Sequence, residues 1–252
     1  MTSATILRNS IEARLPSAFA LSKRRERSTI PTGIDAIDRV TSGIPLSALT
    51  EICGSNVASS GKTSFLHSLL AQATGKYFCA LVDAGDSFDP ASAESAGVNF
   101  SQLLWVRCGL YREKYREKPL EKPRQKLPPL EQAFKAVDML LQSGGFGLIV
   151  MDLSSIPEKI VRRVPLSSWF RFSRVLEKQS TALVVIGQRP QATSCAGLVL
   201  ELKARPAAWS GKLLTHFQVA AEVVRMRENQ NANERRPAQS AHPDFRLKSQ
   251  WA

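Results

Sequence analysis

The sequence predicts an α/β domain whose mainly parallel sheet carries helices on both faces. Three observations lead there. Short apolar runs alternate with stretches of helical spacing through the middle of the chain. The runs are near-continuous in apolar character, as strands buried on both faces are. A Gly/Ser loop at 54–61 joins one such run to a helix.

Taken in order, residues 1–28 read as a short N-terminal helix (Ile6, Ile11, Leu15) and a basic linker, Ser22–Ser28. Residues 29–55 hold short turn-bounded segments, Thr32-Gly33, Ser42-Gly43 and Ile44-Pro45, and end in the apolar run Leu49–Cys53. After the loop, Phe65, Leu66, Leu69, Leu70 and Ala73 recur at helical spacing, with Gly75 as a stop. Tyr77–Val82 and Leu103–Val106 are strands. Residues 109–129 are charged and interrupted by Pro119, Pro123, Pro128 and Pro129, and read as a flexible basic insertion. Leu130–Gln142 is a helix stopped by Gly144-Gly145, Leu148–Met151 a strand, Leu166–Lys178 a helix and Ala182–Ile186 a strand. Gly197–Leu202 and His216–Met226 alternate more and read as late, antiparallel strands. The divisions are therefore 1–28, a core at 29–228 and a polar tail at 229–252.

The 252 residues are 43% hydrophobic, enough for one large domain with a real core. No apolar run approaches the ~18 residues of a membrane-spanning helix, so no membrane partner is expected. The first residues lack the ~7–15-residue apolar stretch of a secretory signal, while Arg8 and Arg14 among serines leave a transit peptide open. Cys53, Cys79, Cys108 and Cys195 form no C-x-x-C pair, which argues against zinc or a redox dithiol. Cys53 and Cys79 lie in apolar runs as reduced core residues, so the cytoplasm is the expected compartment.

The formal charge of +12 is concentrated at 22–27, 111–129, 158–174 and 224–248. Basic segments set against a near-neutral remainder favour a polyanion partner, because Lys and Arg contacts to phosphate supply most nonspecific nucleic-acid affinity. Solvated, solubilising surfaces are the alternative reading.

The strongest local signal runs from Glu51 to Thr63, Glu-Ile-Cys-Gly-Ser-Asn-Val-Ala-Ser-Ser-Gly-Lys-Thr. Between a strand and a helix, this is the context of a phosphate-binding loop. Gly54, Ser59, Ser60, Gly61 and Ser64 surround the phosphates, Lys62 reaches the β/γ oxygens, and Thr63 ligates Mg²⁺. The strict pattern needs glycine where Asn56 stands, so the loop from Gly54 is two residues long of standard. A Gly/Ser turn preceding Lys-Thr would read the same way. Asp152, at the end of a strand, is placed to hold the Mg²⁺ shell. Gln188 follows another strand, at the carboxyl edge where parallel sheets bind ligands.

With these residues in view, the sequence resembles the RecA recombinase family. The resemblance lies in Thr29–Asp38, Gly43–Gly54, Ser59–Thr63, Cys79–Ala84, Asp89-Pro90, Gly97–Leu104, Gly147–Asp152, Ala182–Gln188 and Val223-Val-Arg-Met-Arg227. It implies a RecA-like P-loop NTPase core with ATP and Mg²⁺ as cofactors. It also implies Gln188 as a γ-phosphate sensor, and Arg225 and Arg227 as groups reaching a neighbouring subunit's nucleotide in a homo-oligomer. The family's catalytic glutamate would fall two residues after Asp83, where this chain has Gly85; Asp86 is the adjacent stand-in. Losing a positioned base typically costs ~10²–10⁴-fold.

The connection Arg189–Cys195 is short where recombinases carry a long DNA loop, and the loop after Asp152 is abbreviated. Among RecA-like proteins the chain looks most like the diverged ImuA-type accessories of damage-induced mutagenesis. That resemblance implies an ATP-binding DNA-repair accessory with weak or absent hydrolysis. Its partners would be translesion polymerase components and single-stranded DNA, met directly or through a complex. The alternatives are an active single-stranded-DNA-dependent ATPase forming filaments, and a nucleotide-free interaction protein.

Arg162, Arg163 and Arg189 are the candidate phosphate contacts for nucleic acid. In Trp169-Phe-Arg-Phe-Ser-Arg174, Trp169, Phe172 and Leu176 share a helix face suited to the core, which turns Phe170 and Arg174 outward. Phe245, Leu247 and Trp251 in the tail suit either peptide docking or a last edge strand.

Overall fold

A computed structural model describes residues 28–54, 60–108, 127–206, 208–210, 213–227 and 244–248. The expected N-terminal helix, nearly all of the 109–129 insertion, Ser59 and most of the 229–252 tail lie outside the described residues.

The chain opens with β1 (Thr29–Ile30), α1 (Asp35–Thr41), β2 (Ile44–Pro45), β3 (Ala48–Gly54) and α2 (Lys62–Thr74). Next come β4 (Cys79–Asp83), α3 (Pro90–Ser95), β5 (Leu103–Arg107), α4 (Pro129–Ser143), β6 (Leu148–Asp152), α5 (Glu158–Val161) and α6 (Leu166–Leu176). Then follow β7 (Ala182–Gly187), a 3₁₀ turn (Thr193–Cys195), β8 (Ala196–Ala204), β9 (Ala208–Ser210), β10 (Leu213–Met226) and β11 (Asp244–Lys248). The large sheet runs β11-β10-β8-β3-β7-β6-β4-β5, with β9 beside β10. From β8 to β5 all neighbours are parallel, and β9, β10 and β11 add antiparallel pairs.

The parallel strands divide their side chains between two cores, as a period of two requires. On one face Cys79, Leu81, Leu148, Val150, Val184 and Ile186 meet Phe65, Leu66, Leu69 and Leu70 of α2. On the other, Ala80, Val82, Ile149, Met151, Leu183 and Val185 meet α4 and α6. There Phe134 stacks on Phe172 at 5.5 Å and meets Trp169 edge-on at 5.0 Å. Trp169, Phe172 and Leu176 are all buried, as their shared face predicts, while Phe170 and Arg174 face outward.

Two elements differ from the sequence reading. The segment read as turns contains α1, which buries Ile37 and Thr41. Its turn is held by Asp38, whose carboxylate accepts from the Thr32 and Gly33 N–H groups and the Thr32 hydroxyl. Two turns of helix carry too little periodicity to be read from letters. The polar tail contributes the edge strand β11, with Phe245 opposite Val219 and Leu247 opposite Phe217. Phe245 and Leu247 are thus tied into the sheet rather than displayed on a free end.

Candidate nucleotide site

Gly54, Asp83, Asp152 and Gly187 lie at the carboxyl ends of β3, β4, β6 and β7, with Asp83 directly opposite Asp152 and Cys53 opposite Gly187. Such an edge is where open parallel sheets bind ligands. α2 begins here. Its cap, Gly61, has φ 80° and no side chain to cap the first turn, so that turn presents N–H groups suited to an anion. A Cβ at Gly61 would lie 2.8 Å from the Val219 side chain, so β10 approaches closely at the start of α2.

A cleft of about 280 Å³ opens over this end of α2. Ser60, Lys62, Thr63, Asp152, Ser154 and Ser155 supply its polar wall, with Ser87 and His67 beside them. Four residues singled out by sequence (Ser60, Lys62, Thr63 and Asp152) are therefore brought together. Lys62 is buried and donates from Nζ to the carbonyls of Gly54 at 3.0 Å and Gly187 at 3.5 Å. Burial lowers its pKa, opposed by the charge of Asp152. Asp152 is buried too. Desolvation raises its pKa against a 2.8 Å hydrogen bond from the Ser154 N–H. A buried ammonium and a buried carboxylate at a helix N-terminus form a donor set that fits a phosphate with its Mg²⁺.

Other sequence candidates take different positions. Gln188 does not line this cleft. Its Nε2 donates to the carbonyls of Ser154 (3.3 Å) and Ile156 (3.0 Å), tying the end of β7 to the loop after β6. Asp86, at φ 53°, is not among the residues lining the cleft and forms a two-pronged pair with Arg107 at 2.6 and 2.8 Å. The turn carrying it is organised by the fully buried Asp83, which accepts from the N–H groups of Gly85, Ser87 and Phe88. A Cβ on Gly85 would lie 1.6 Å from Ser155 Oγ and 2.6 Å from its Cβ. Ser155 therefore fills the space of any side chain at 85.

Arg225 and Arg227 donate to the carbonyls of Thr193 and Ser194 within their own chain. The same connection is held from inside by Glu51 of β3, whose Oε1 accepts from the N–H groups of Gln191 (2.6 Å) and Ala192 (2.9 Å). Glu51 is buried and its Oε2 has no partner among the described residues. Arg162 and Arg163 lie exposed in the turn between α5 and α6, and Arg189 pairs with Glu158 at 3.3 Å. Ser64 is half-buried on α2, one residue beyond the lining Thr63.

Burial pushes the Glu51 pKa above its ordinary 4.5, opposed by the two backbone N–H bonds and the charge of Arg225. The folded protein therefore holds this proton more tightly than the unfolded chain, so the contribution of Glu51 falls as pH rises above about 4.5. Glu51→Gln keeps the acceptor and removes the titration. Its stability relative to wild type is expected to increase between pH 4.5 and neutrality in urea unfolding; a pH-independent difference would contradict this placement.

All four cysteines are free and buried, and burial pushes Cys79 to about 12 and Cys108 to about 11, so neither is a ready thiolate. No group of three or more metal-type ligands from His, Cys, Asp and Glu occurs among the described residues. Among them, no helix is long and apolar enough to cross a membrane.

The mostly parallel sheet, its helical layers and the sequence comparisons together define an α/β RecA-like core. The chain is 35% identical over 128 residues to Protein RecA of Colwellia psychrerythraea, a match covering 49% of this chain and 31% of that protein. It is 35% identical over 132 residues to Protein RecA of Methylococcus capsulatus, covering 51% and 32%. For Protein RecA of Chloroflexus aurantiacus the figures are 32% over 134 residues, covering 52% and 32%. The chain spans about a third of the length of these curated relatives. No protein-family model matches it.

Proposed function

We propose that the chain is a nucleotide-binding, RecA-like accessory of DNA repair and recombination, acting in damage-induced translesion mutagenesis with weak or absent ATP hydrolysis. The observation that carries the nucleotide reading is the cleft over α2, where buried Lys62 and Asp152 meet Ser60 and Thr63. In this reading Lys62, which now donates to the Gly54 and Gly187 carbonyls, would hold the phosphates. The α2 N–H groups, with Ser60 and Gly61, would help to hold them. Thr63 and Asp152 would hold Mg²⁺, which when bound neutralises phosphate charge. Gln188 acts through the Ser154 and Ile156 carbonyls it already holds, as a positioning residue rather than a direct sensor.

Weak turnover is supported by what stands around position 85. Ser155 occupies the space a carboxylate-bearing side chain there would need, and Asp86 is engaged by Arg107. Nucleotide then serves as an assembly ligand. Arg225 and Arg227 serve this chain's own connection, which supports a regulated partner over a filament former. DNA is reached through Arg162 and Arg163 or through the complex. The protein functions in the cytoplasm with translesion polymerase components, its units being a RecA-like core at 29–228 flanked by 1–28 and 229–252.

The test is hydrolysis of Mg-ATP with and without single-stranded DNA. The expected result is turnover indistinguishable from a Lys62→Ala control, alongside measurable Mg-ATP binding. DNA-stimulated turnover lost in the control would replace this reading with an active ATPase.

A further inference from the structure

The outer side of α6 carries a second feature that the nucleotide site does not use. Its inner face is core, yet Leu166 is 46% and Phe170 44% exposed, one helical turn apart. Arg174 continues the stripe a turn further, and Arg162 and Arg163 stand just before the helix. Ile160, 45% exposed, belongs to the preceding α5 with exposed Lys159. None of Lys159, Arg162, Arg163 or Arg174 pairs with a carboxylate among the described residues. The segment's two carboxylates are Glu158, which faces Arg189, and Glu177 at the far end of α6. Arg171 points the other way, to Asp138 of α4 at 3.1 Å.

We propose that this face is a docking surface for an acidic, amphipathic peptide segment of a partner protein. Large exposed side chains in a row, framed by unpaired cations, match a ligand that brings apolar anchors and carboxylates together. The composition favours peptide over nucleic acid. Base stacking needs aromatic platforms, and only Phe170 supplies one, while Leu166 and Ile160 offer aliphatic surface that bases use poorly. The proposal rests on the accessory reading only in supposing a protein partner. It places that partner's contact about the basic turn, so that DNA would be reached through the complex.

The experiment pans a displayed library of random 16-residue peptides against the full chain without nucleotide. Recovered peptides are then measured by fluorescence anisotropy against wild type, Leu166→Ala/Phe170→Ala and Arg163→Glu/Arg174→Glu. All the substituted side chains are exposed, and circular dichroism checks that each variant is folded. The expected peptides combine Asp or Glu with Leu, Ile, Phe or Trp, and bind at least about tenfold more weakly to each variant. For the charge variant the salt dependence also flattens. Peptides that are neutral or basic, or whose binding ignores both variants, overturn the proposal. So does (dT)₂₀ binding lost in both variants with no peptide recovered, which makes nucleic acid the occupant. Self-association in sedimentation that the apolar variant abolishes makes it a second copy. Because nucleotide is absent throughout, failure here leaves the Mg-ATP result untouched.

Discussion

Mg-ATP at about a hundred times its dissociation constant is expected to stabilise the wild-type chain by about 2.7 kcal/mol, and Lys62→Ala to lose from about half to most of that gain. Among the described residues lining the cleft Lys62 is the one Lys or Arg, and its buried side chain already faces two carbonyls at the carboxyl edge of the sheet. Moving it onto phosphate converts neutral acceptors into a charged one, and hydrogen bonds to charged groups are worth about 1.5–3 kcal/mol. Removing it therefore weakens binding by about 10- to 100-fold, and at the same nucleotide concentration leaves about 0.4–1.4 kcal/mol of stabilisation. Each protein is compared with its own nucleotide-free state by thermal unfolding. This matters because the substitution also relieves a buried charge and leaves Asp152 without its neighbouring cation. Equal shifts in the two proteins would show that the cleft over α2 is not where nucleotide binds, and would favour the nucleotide-free reading.

The second large effect is structural. Trp169→Ala is expected to cost about 3–5 kcal/mol, lowering the melting temperature by about 10 °C. Trp169 is 1% exposed and meets Phe134 and Phe172 at 5.0 and 6.5 Å, so truncation opens a cavity where α4, α6 and the sheet join. Phe170→Ala, one residue along and facing solvent, is expected to stay within about 0.5 kcal/mol of wild type. Chemical unfolding of the two variants side by side checks the contrast. Similar losses for both would mean that α6 presents a different face to the core.

Much of the core was legible because burial on both faces leaves continuous apolar runs. β4, β6 and β7 were each anticipated to within a residue or two of their ends. Lys62, Thr63 and Asp152 were legible because their spacing relative to strand ends reflects local geometry. What the letters did not carry was the choice of partner. Gln188, Arg225 and Arg227, which the resemblance implies as nucleotide contacts, each donate to carbonyls of their own molecule. Asp83 and Glu51 were overlooked for the related reason that their work, holding backbone N–H groups of distant turns, leaves no motif. The signal that was available was a carboxylate inside an apolar run, since a charge buried there must have partners. Ser154 and Ser155 line the cleft from the turn after β6, and His67 from α2 itself, a turn beyond Thr63, placements that no local motif announces.

The contact between Gly85 and Ser155 has a consequence for any redesign of this edge of the sheet. Position 85 can accept a longer side chain only after Ser155 has withdrawn, because its Cβ as well as its hydroxyl stands in the way. A carboxylate introduced at 85 alone would meet that obstacle, so it needs a smaller residue at 155 alongside it. The two positions are coupled, and Gly85→Glu with Ser155→Gly is expected to cost less than the sum of the two changes made singly. The pair shares one slot: the size of either residue sets what its neighbour can be.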